Sequence, residues 1–178
     1  MAKKTIILDS AGVQRALTRI AHEILEYNKG VENLVLVGIR TGGDHLAAVL
    51  QKKVEDIEGA AISLGALDIS MYRDDIASRT DIEVGKTDIS FPLDGKKVVL
   101  VDDVLYTGRT IRAAMGALMD LGRPKNIQLA VLIDRGHREL PIRPDYIGRN
   151  VPTAREEKIE VVFDEDLCPV EVQLNKPQ

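Results

Sequence analysis

The sequence predicts an α/β fold with a central, mainly parallel sheet flanked by helices, and three observations predict it. First, largely apolar runs rich in Val, Leu and Ile occupy residues 34–39, 98–101 and 127–133. Such runs suit strands buried on both faces, as in a parallel sheet, and not strands with one wet face. Second, two of the runs lead into glycine-containing loops, Arg40-Thr41-Gly42-Gly43 and Tyr106-Thr107-Gly108-Arg109-Thr110, each followed by helix-forming sequence. Third, the run at 98–101 ends in two carboxylates, Asp102 and Asp103. Open α/β sheets bind ligands outside the carboxyl ends of their strands, and a tight loop opening a helix seats an anion on its free N–H groups.

Together these features describe a ligand with a phosphate at one end and hydroxyls beside it, as in a ribose 5-phosphate. Thr107 to Thr110 would hold the phosphate, and Asp102 and Asp103 would accept hydrogen bonds from sugar hydroxyls. The plainer alternative is a buried strand capped by acids. A Walker B assignment needs a Walker A partner, and Gly85-Lys86-Thr87 lacks the glycine five residues ahead of Gly85.

Composition narrows the class. A chain of 178 residues, 44% hydrophobic and 29% charged, suits one compact soluble domain. Aromatic residues make up 3% and Trp is absent, which argues against base-stacking platforms. Cys168 is the single cysteine, so no internal disulfide forms; with no signal peptide or long apolar span, a cytoplasmic location is expected, away from membranes. The net charge of −4 argues against nucleic-acid binding over the whole surface but leaves room for a local basic patch.

In chain order, residues 3–8 read as a short strand or arm, and Asp9 or Ser10 offers an N-cap for a helix to about Asn28. Its apolar face is Val13, Leu17, Ile20 and Ile24; the opposite face carries Arg15, Thr18, Arg19 and His22, either as a solvated surface or as a cationic binding face. Gly30 ends this helix. Thr41-Gly42-Gly43 follows the next strand and is weak evidence by itself, gaining weight beside the first anion site because a diphosphate leaving group needs its own seat. A helix spans about 44–58 and a strand about 60–69. Residues 76–94 show no clear amphipathic period, so a flexible lid over the active site is expected at about 70–94, with Tyr72 and Arg73 reaching the diphosphate on closure. A further strand at 127–134 delivers Arg135 and His137 as readers of a nucleobase across the crevice. From Arg135 to Arg155 five arginines face only Glu139 and Asp145, a pattern expected for an anionic partner or a solvated loop. Strands at 158–163 and 170–174 close the chain before a frayed tail at 176–178.

Four segments carry a family resemblance over nearly the whole chain: residues 15–23, 72–75, 99–110 and 134–153. Their sequences include Arg15-Ala-Leu-Thr-Arg-Ile-Ala-His-Glu23, Tyr72-Arg-Asp-Asp75, the Asp102-Asp103 strand with Thr-Gly-Arg-Thr110, and Asp134-Arg-Gly-His-Arg-Glu-Leu-Pro-Ile-Arg143. The set resembles the PyrR family, bacterial bifunctional pyrimidine-operon attenuators and uracil phosphoribosyltransferases. The resemblance implies a type I phosphoribosyltransferase fold, with a small C-terminal hood and the basic segment at about 135–178. It implies conversion of uracil and phosphoribosyl diphosphate (PRPP) to UMP and diphosphate, with Mg²⁺ carried mainly by PRPP and no protein-held metal. It also implies binding of pyrimidine-operon leader mRNA, strengthened by UMP or UTP, by a homodimer or higher homo-oligomer.

Transferred by position, Asp102 and Asp103 stabilise the ribosyl transition state, and Thr107, Gly108, Arg109 and Thr110 take the 5-phosphate, with Val104, Leu105 and Tyr106 in the same substrate-binding stretch. Arg40, Thr41, Gly42 and Gly43 form the diphosphate loop, and Arg135 with His137 borders the uracil pocket. The family's RNA surface maps onto Thr18, Arg19, His22, Arg138, Arg143, Arg149 and Thr153. One departure stands out: the family usually has Thr-Arg-Gly where this chain has Thr41-Gly42-Gly43, which removes a guanidinium and leaves backbone N–H groups and Arg40. An RNA-binding nucleotide sensor with weak catalysis, and a purely metabolic phosphoribosyltransferase, are therefore the alternatives. The metabolic alternative leaves the helix face and the arginine excess unexplained.

Overall fold

A computed structural model describes residues 3–72 and 87–177. Its elements run β1 (Lys3–Leu8), α1 (Ser10–Asn28), β2 (Leu34–Ile39), α2 (Gly43–Glu58), β3 (Ser63–Leu67), a 3₁₀ turn (Ser70–Tyr72), β4 (Lys97–Leu105), α3 (Arg109–Leu121), β5 (Asn126–Asp134), β6 (Tyr146–Asn150), β7 (Lys158–Phe163) and β8 (Pro169–Lys176). Five strands form a parallel sheet in the order β3-β2-β4-β5-β6.

Both faces of this sheet are covered, which is why its strands are apolar without alternation. Leu34 and Leu36 of β2, with Val99 and Val101 of β4, point into a core shared with Leu17, Ile20 and Ile24 of α1 and Leu46 and Leu50 of α2. Val35, Val37, Val98 and Leu100 point the other way, against Ile111, Ala114 and Leu118 of α3. Helices α2 and α3 thus leave adjacent strands toward opposite faces, and the crevice between β2 and β4 is a switch point at which ligands bind.

Helix α1 starts on Asp9, whose carboxylate accepts from Gly12 N at 2.7 Å. It ends on Lys29 in the left-handed region (φ 56°), one residue ahead of the glycine expected to stop it. Asn28 donates to Gln128 at 3.0 Å, Gln128 returns the bond at 2.8 Å, and the buried Tyr146 hydroxyl donates to Gln128 at 2.6 Å. This network joins α1, β5 and β6; burial pushes the Tyr146 hydroxyl up from its ordinary value.

Several boundaries differ from expectation. Strand β6 was not foreseen: it is a five-residue edge strand carrying Gly148, Arg149 and Asn150, so it lacks an apolar run. Strand β3 is shorter than expected. The second sheet, β1-β8-β7, is antiparallel and takes its outer strand from the N-terminus, so the hood is not purely C-terminal. Lys176 belongs to β8, pairing with Lys3 and lying 3.2 Å from Glu157, so the chain is ordered past the expected fray point. Within the expected lid, Arg73 and residues 74–86 lie outside the described residues. The part at 87–94 packs on the body of the domain: Asp88 bridges Ala66, Leu93 is buried, and Ile89 and Phe91 pack on the α3 core.

Candidate active site and RNA-facing surface

The two glycine loops meet at the carboxyl edge of β2 and β4, whose register pairs Gly38 with Val101. Helix α2 begins after Gly42 and α3 after Gly108, and neither N-cap has a side-chain hydrogen bond. Ser, Thr, Asp or Asn usually fills that role. Leaving both helix starts uncapped by a side chain presents two groups of N–H donors, aligned with the positive ends of two helix dipoles. Between them stand Asp102, which is 6% exposed, and Asp103.

In the loop after β2, position 43 leaves room only for glycine. A Cβ on Gly43 would stand 2.3 Å from Val101 O, so the loop lies directly on the β4 backbone. Gly42 has φ +112°, and a Cβ there would stand 2.7 Å from an Asp103 carboxylate oxygen. The main chain at 42 therefore occupies the ground beside Asp103 that a side chain would take. Gly42 N donates to Asp44 Oδ1 at 3.0 Å. Arg40 offers a buried Nε without a hydrogen-bond partner, and Thr41 is exposed.

Burial pushes the Asp103 carboxyl above its usual range and the nearby Asp44 charge adds to this, while bonds from Asp102 and the Val104 N–H work the other way. The Val104 bond is 2.7 Å, and Asp103 N donates to Asp102 Oδ1 at 2.9 Å. A group in this state ionises most readily when positive charge arrives beside it.

At the end of β5, Asp134, Arg135, His137, Arg138, Asn150 and Thr153 line a cavity of about 390 Å³. Arg135 is 7% exposed and sits behind this cavity: it donates to Thr153 Oγ1, Ala154 O and Glu157 O at 3.0, 3.1 and 2.7 Å. Its Cζ lies 4.1 Å from the centre of the Tyr106 ring, which also meets His137 edge-on. His137 Nε2 bonds Thr153 O. Tyr106 thus links the Gly108 loop to the cavity at the end of β5, a contact that sequence spacing alone does not reveal. Tyr72 lies elsewhere, its ring near Gly116 of α3 and its hydroxyl bonded to Asp120.

The expected RNA-facing residues divide in two. Thr18, Arg19 and His22 are exposed on α1. Arg19 donates to Glu23, and to Ile147 O and Gly148 O of β6 at 3.1 and 2.6 Å, which brings the helix face beside Arg149. Arg149 is exposed and donates to Ile7 O. Lys53 of α2, unmarked by any sequence pattern, donates to Thr18 at 3.0 Å and adds a cation to this face. Arg143 is exposed. Arg138 and Thr153 instead turn inward to the cavity wall.

Comparisons with known proteins agree with this geometry. A phosphoribosyl transferase domain model matches residues 4–166. The bifunctional protein PyrR of Geobacter sp. (strain M21) is 66% identical over 177 residues, covering 99% of this chain and all of the relative. The chain belongs to the PyrR family of phosphoribosyltransferases. The PyrR protein of Bacillus subtilis (strain 168) is 55% identical over 168 residues, covering 93% of each chain. Among solved structures, the hypoxanthine phosphoribosyltransferase of Trypanosoma cruzi superposes with a TM-score of 0.72 at 18% identity, covering 98% of this chain and 97% of that one. That likeness supports the fold alone: the parallel sheet and flanking helices are those of a type I phosphoribosyltransferase. The PyrR relatives match this chain nearly end to end, hood strands included.

Proposed function

We propose that this protein converts uracil and PRPP to UMP and diphosphate, and that it binds pyrimidine-operon leader mRNA in a UMP- or UTP-dependent manner as an attenuator. The single observation that carries the enzymatic half is the pair of helix starts without side-chain caps flanking two carboxylates at a sheet switch point. One seat suits the 5-phosphate and the other the diphosphate, with the ribose between them. In the reaction the C1′–oxygen bond to diphosphate breaks, the bond from C1′ to uracil N1 forms, and the N1 proton of uracil passes to the departing diphosphate or to solvent. Asp102 and Asp103 accept the ribose hydroxyls and oppose the positive charge that develops on the ribosyl centre. Val104 to Thr110 hold the phosphate end, Arg40 to Gly43 the diphosphate, and the cavity bordered by Arg135 and His137 the base. Mg²⁺ arrives on PRPP as part of the substrate; a diphosphate with offset charge fits a loop that already contains the Asp44 carboxylate.

For RNA, the support is the exposed surface of Thr18, Arg19, His22 and Arg149, joined by the α1–β6 contact, together with exposed Arg143. Copies assembled as a dimer or larger homo-oligomer would extend that surface. A cytoplasmic setting belongs to the same proposal; no described helix is long and apolar enough to cross a membrane. A second reading, an RNA-binding sensor with weak catalysis, is favoured by one feature: Gly42 supplies no guanidinium, and its N–H is already bonded to Asp44.

The deciding experiment measures leader-RNA binding with and without UMP, beside a uracil-plus-PRPP assay on the same protein. Turnover with nucleotide-enhanced binding is expected. Enhanced binding without turnover would favour the sensor, and turnover without RNA binding would leave a metabolic enzyme.

A further inference from the structure

Arg138 lies in the arginine-rich segment, yet its guanidinium is used inside the protein. Nε donates to Ile142 O at 2.9 Å, Nη1 donates to Tyr106 O at 2.8 Å, and Nη2 pairs with the Asp134 carboxylate. Its side chain is 25% exposed and that of Asp134 12%. The three acceptors belong to three different segments: the loop carrying Arg143, the phosphate loop, and the end of β5 beside the base cavity.

The same loops are joined again without Arg138. Thr107 O accepts from Glu139 N at 2.9 Å and from Leu140 N at 3.3 Å. Arg109, at the start of α3, donates to Glu139 Oε1 at 3.3 Å. Ile142 and Leu140 stand against the open face of Gly108. Residues 139–142 are therefore fastened to residues 106–109, while Arg143, next in the chain, is exposed. A phosphate arriving at Thr107 to Thr110 meets backbone that already holds the neighbouring loop, and it shares Arg109 with Glu139.

We propose that Arg138 is a positioning residue that fastens the Arg143-bearing loop to the phosphate loop, so that nucleotide phosphate bound there sets how that loop is presented to RNA. This rests on the RNA-binding reading above and changes the part assigned to Arg138 within it. A phosphate contact needs only a positive charge at that place, whereas three bonds to three segments need the planar fork of an arginine. The coupling is reciprocal: RNA tightens UMP by the factor with which UMP tightens RNA.

The test compares wild type with Arg138→Lys, Arg138→Met and Glu139→Gln. Leader-RNA affinity is read across a salt series, without UMP and at UMP saturating for each variant. Wild type should show UMP enhancement within the roughly 5–150-fold range of coupled sites. In both Arg138 variants the enhancement should collapse to within about twofold of none, with the salt slope of wild type retained. Glu139→Gln, which alters one exposed side chain, should lower the enhancement without changing the slope, and it decides the matter if the Arg138 variants do not fold. Full enhancement in Glu139→Gln together with the Arg138 variants overturns the proposal. So does a Lys variant like wild type beside a Met variant whose slope falls by about one, the signature of a direct phosphate contact. Wild type without any UMP-dependent RNA binding removes the functional reading itself, and that arm is read first.

Discussion

Asp103, proposed to oppose charge on the ribosyl centre, also carries a stability cost. Its carboxyl is held above its usual range by burial and by the Asp44 charge. The folded protein therefore keeps a proton that the unfolded chain releases, and stability falls as pH rises from the usual carboxylate value through the raised one. Asp103→Asn should abolish that slope and raise stability at neutral pH, while UMP synthesis falls by about 10²–10³-fold, as when one electrostatic stabiliser is removed from an active site. Denaturant unfolding between pH 4 and 8 beside a turnover assay checks both. Undiminished turnover would remove the ribose-carboxylate argument. Asp44 offers the complementary case. Asp44→Asn keeps an acceptor for Gly42 N but removes a charge beside the diphosphate loop, which at partly screened distances is worth on the order of 1 kcal/mol. KM for PRPP should fall by about fivefold on that basis. The acid limb of the pH–rate profile should also move to lower pH, because one of the causes raising Asp103 is gone. An unmoved limb with unchanged KM would leave Asp44 only its bond to Gly42 N.

At the scale of elements, what the sequence made legible follows from how each element is buried. Strands β2, β4 and β5 are covered on both faces, so their apolar runs declare them, and β7 stands as expected at Lys158–Phe163. The amphipathic stripe of α1 is buried at Val13, Leu17, Ile20 and Ile24 as its period predicts. Edge strand β6 escapes notice because its identity lies in contacts made far away in the chain: the Tyr146 hydroxyl on Gln128, and the Ile147 and Gly148 carbonyls on Arg19. The same holds for the site. The residue types and spacing of Asp102 to Thr110 mark a strand, a glycine loop and a helix start, and the structure has β4, Gly108 and α3 there. The inward turn of Arg135 and Arg138, and the cation that Lys53 brings to Thr18, depend on which segments the fold lays side by side. No local pattern encodes that.

For the whole molecule, charge is distributed rather than simply negative. A chain of net charge −4 keeps exposed Arg15, Arg19, Arg143 and Arg149, cations that on the proposed RNA-binding reading offset its general repulsion of RNA. The helix starts carry a consequence of a different kind. Both α2 and α3 begin on a glycine N-cap that offers no side-chain acceptor, although Gly42 N bonds Asp44 Oδ1 at 3.0 Å and Arg109 N bonds Thr107 Oγ1 at 3.3 Å. On the proposed reading PRPP would bring phosphate acceptors to both helix starts, which lie on opposite sides of the sheet, and UMP, with one phosphate, to α3 alone. Ligand-free protein should melt early and UMP or PRPP should raise the midpoint markedly: at one hundred times Kd the gain is about 2.7 kcal/mol, readable in a thermal shift assay. A flat midpoint across that titration would mean the helix starts are satisfied without ligand. If the midpoint rises, the durability of the molecule follows the nucleotide supply around it, with the starved form the one most exposed to unfolding and degradation.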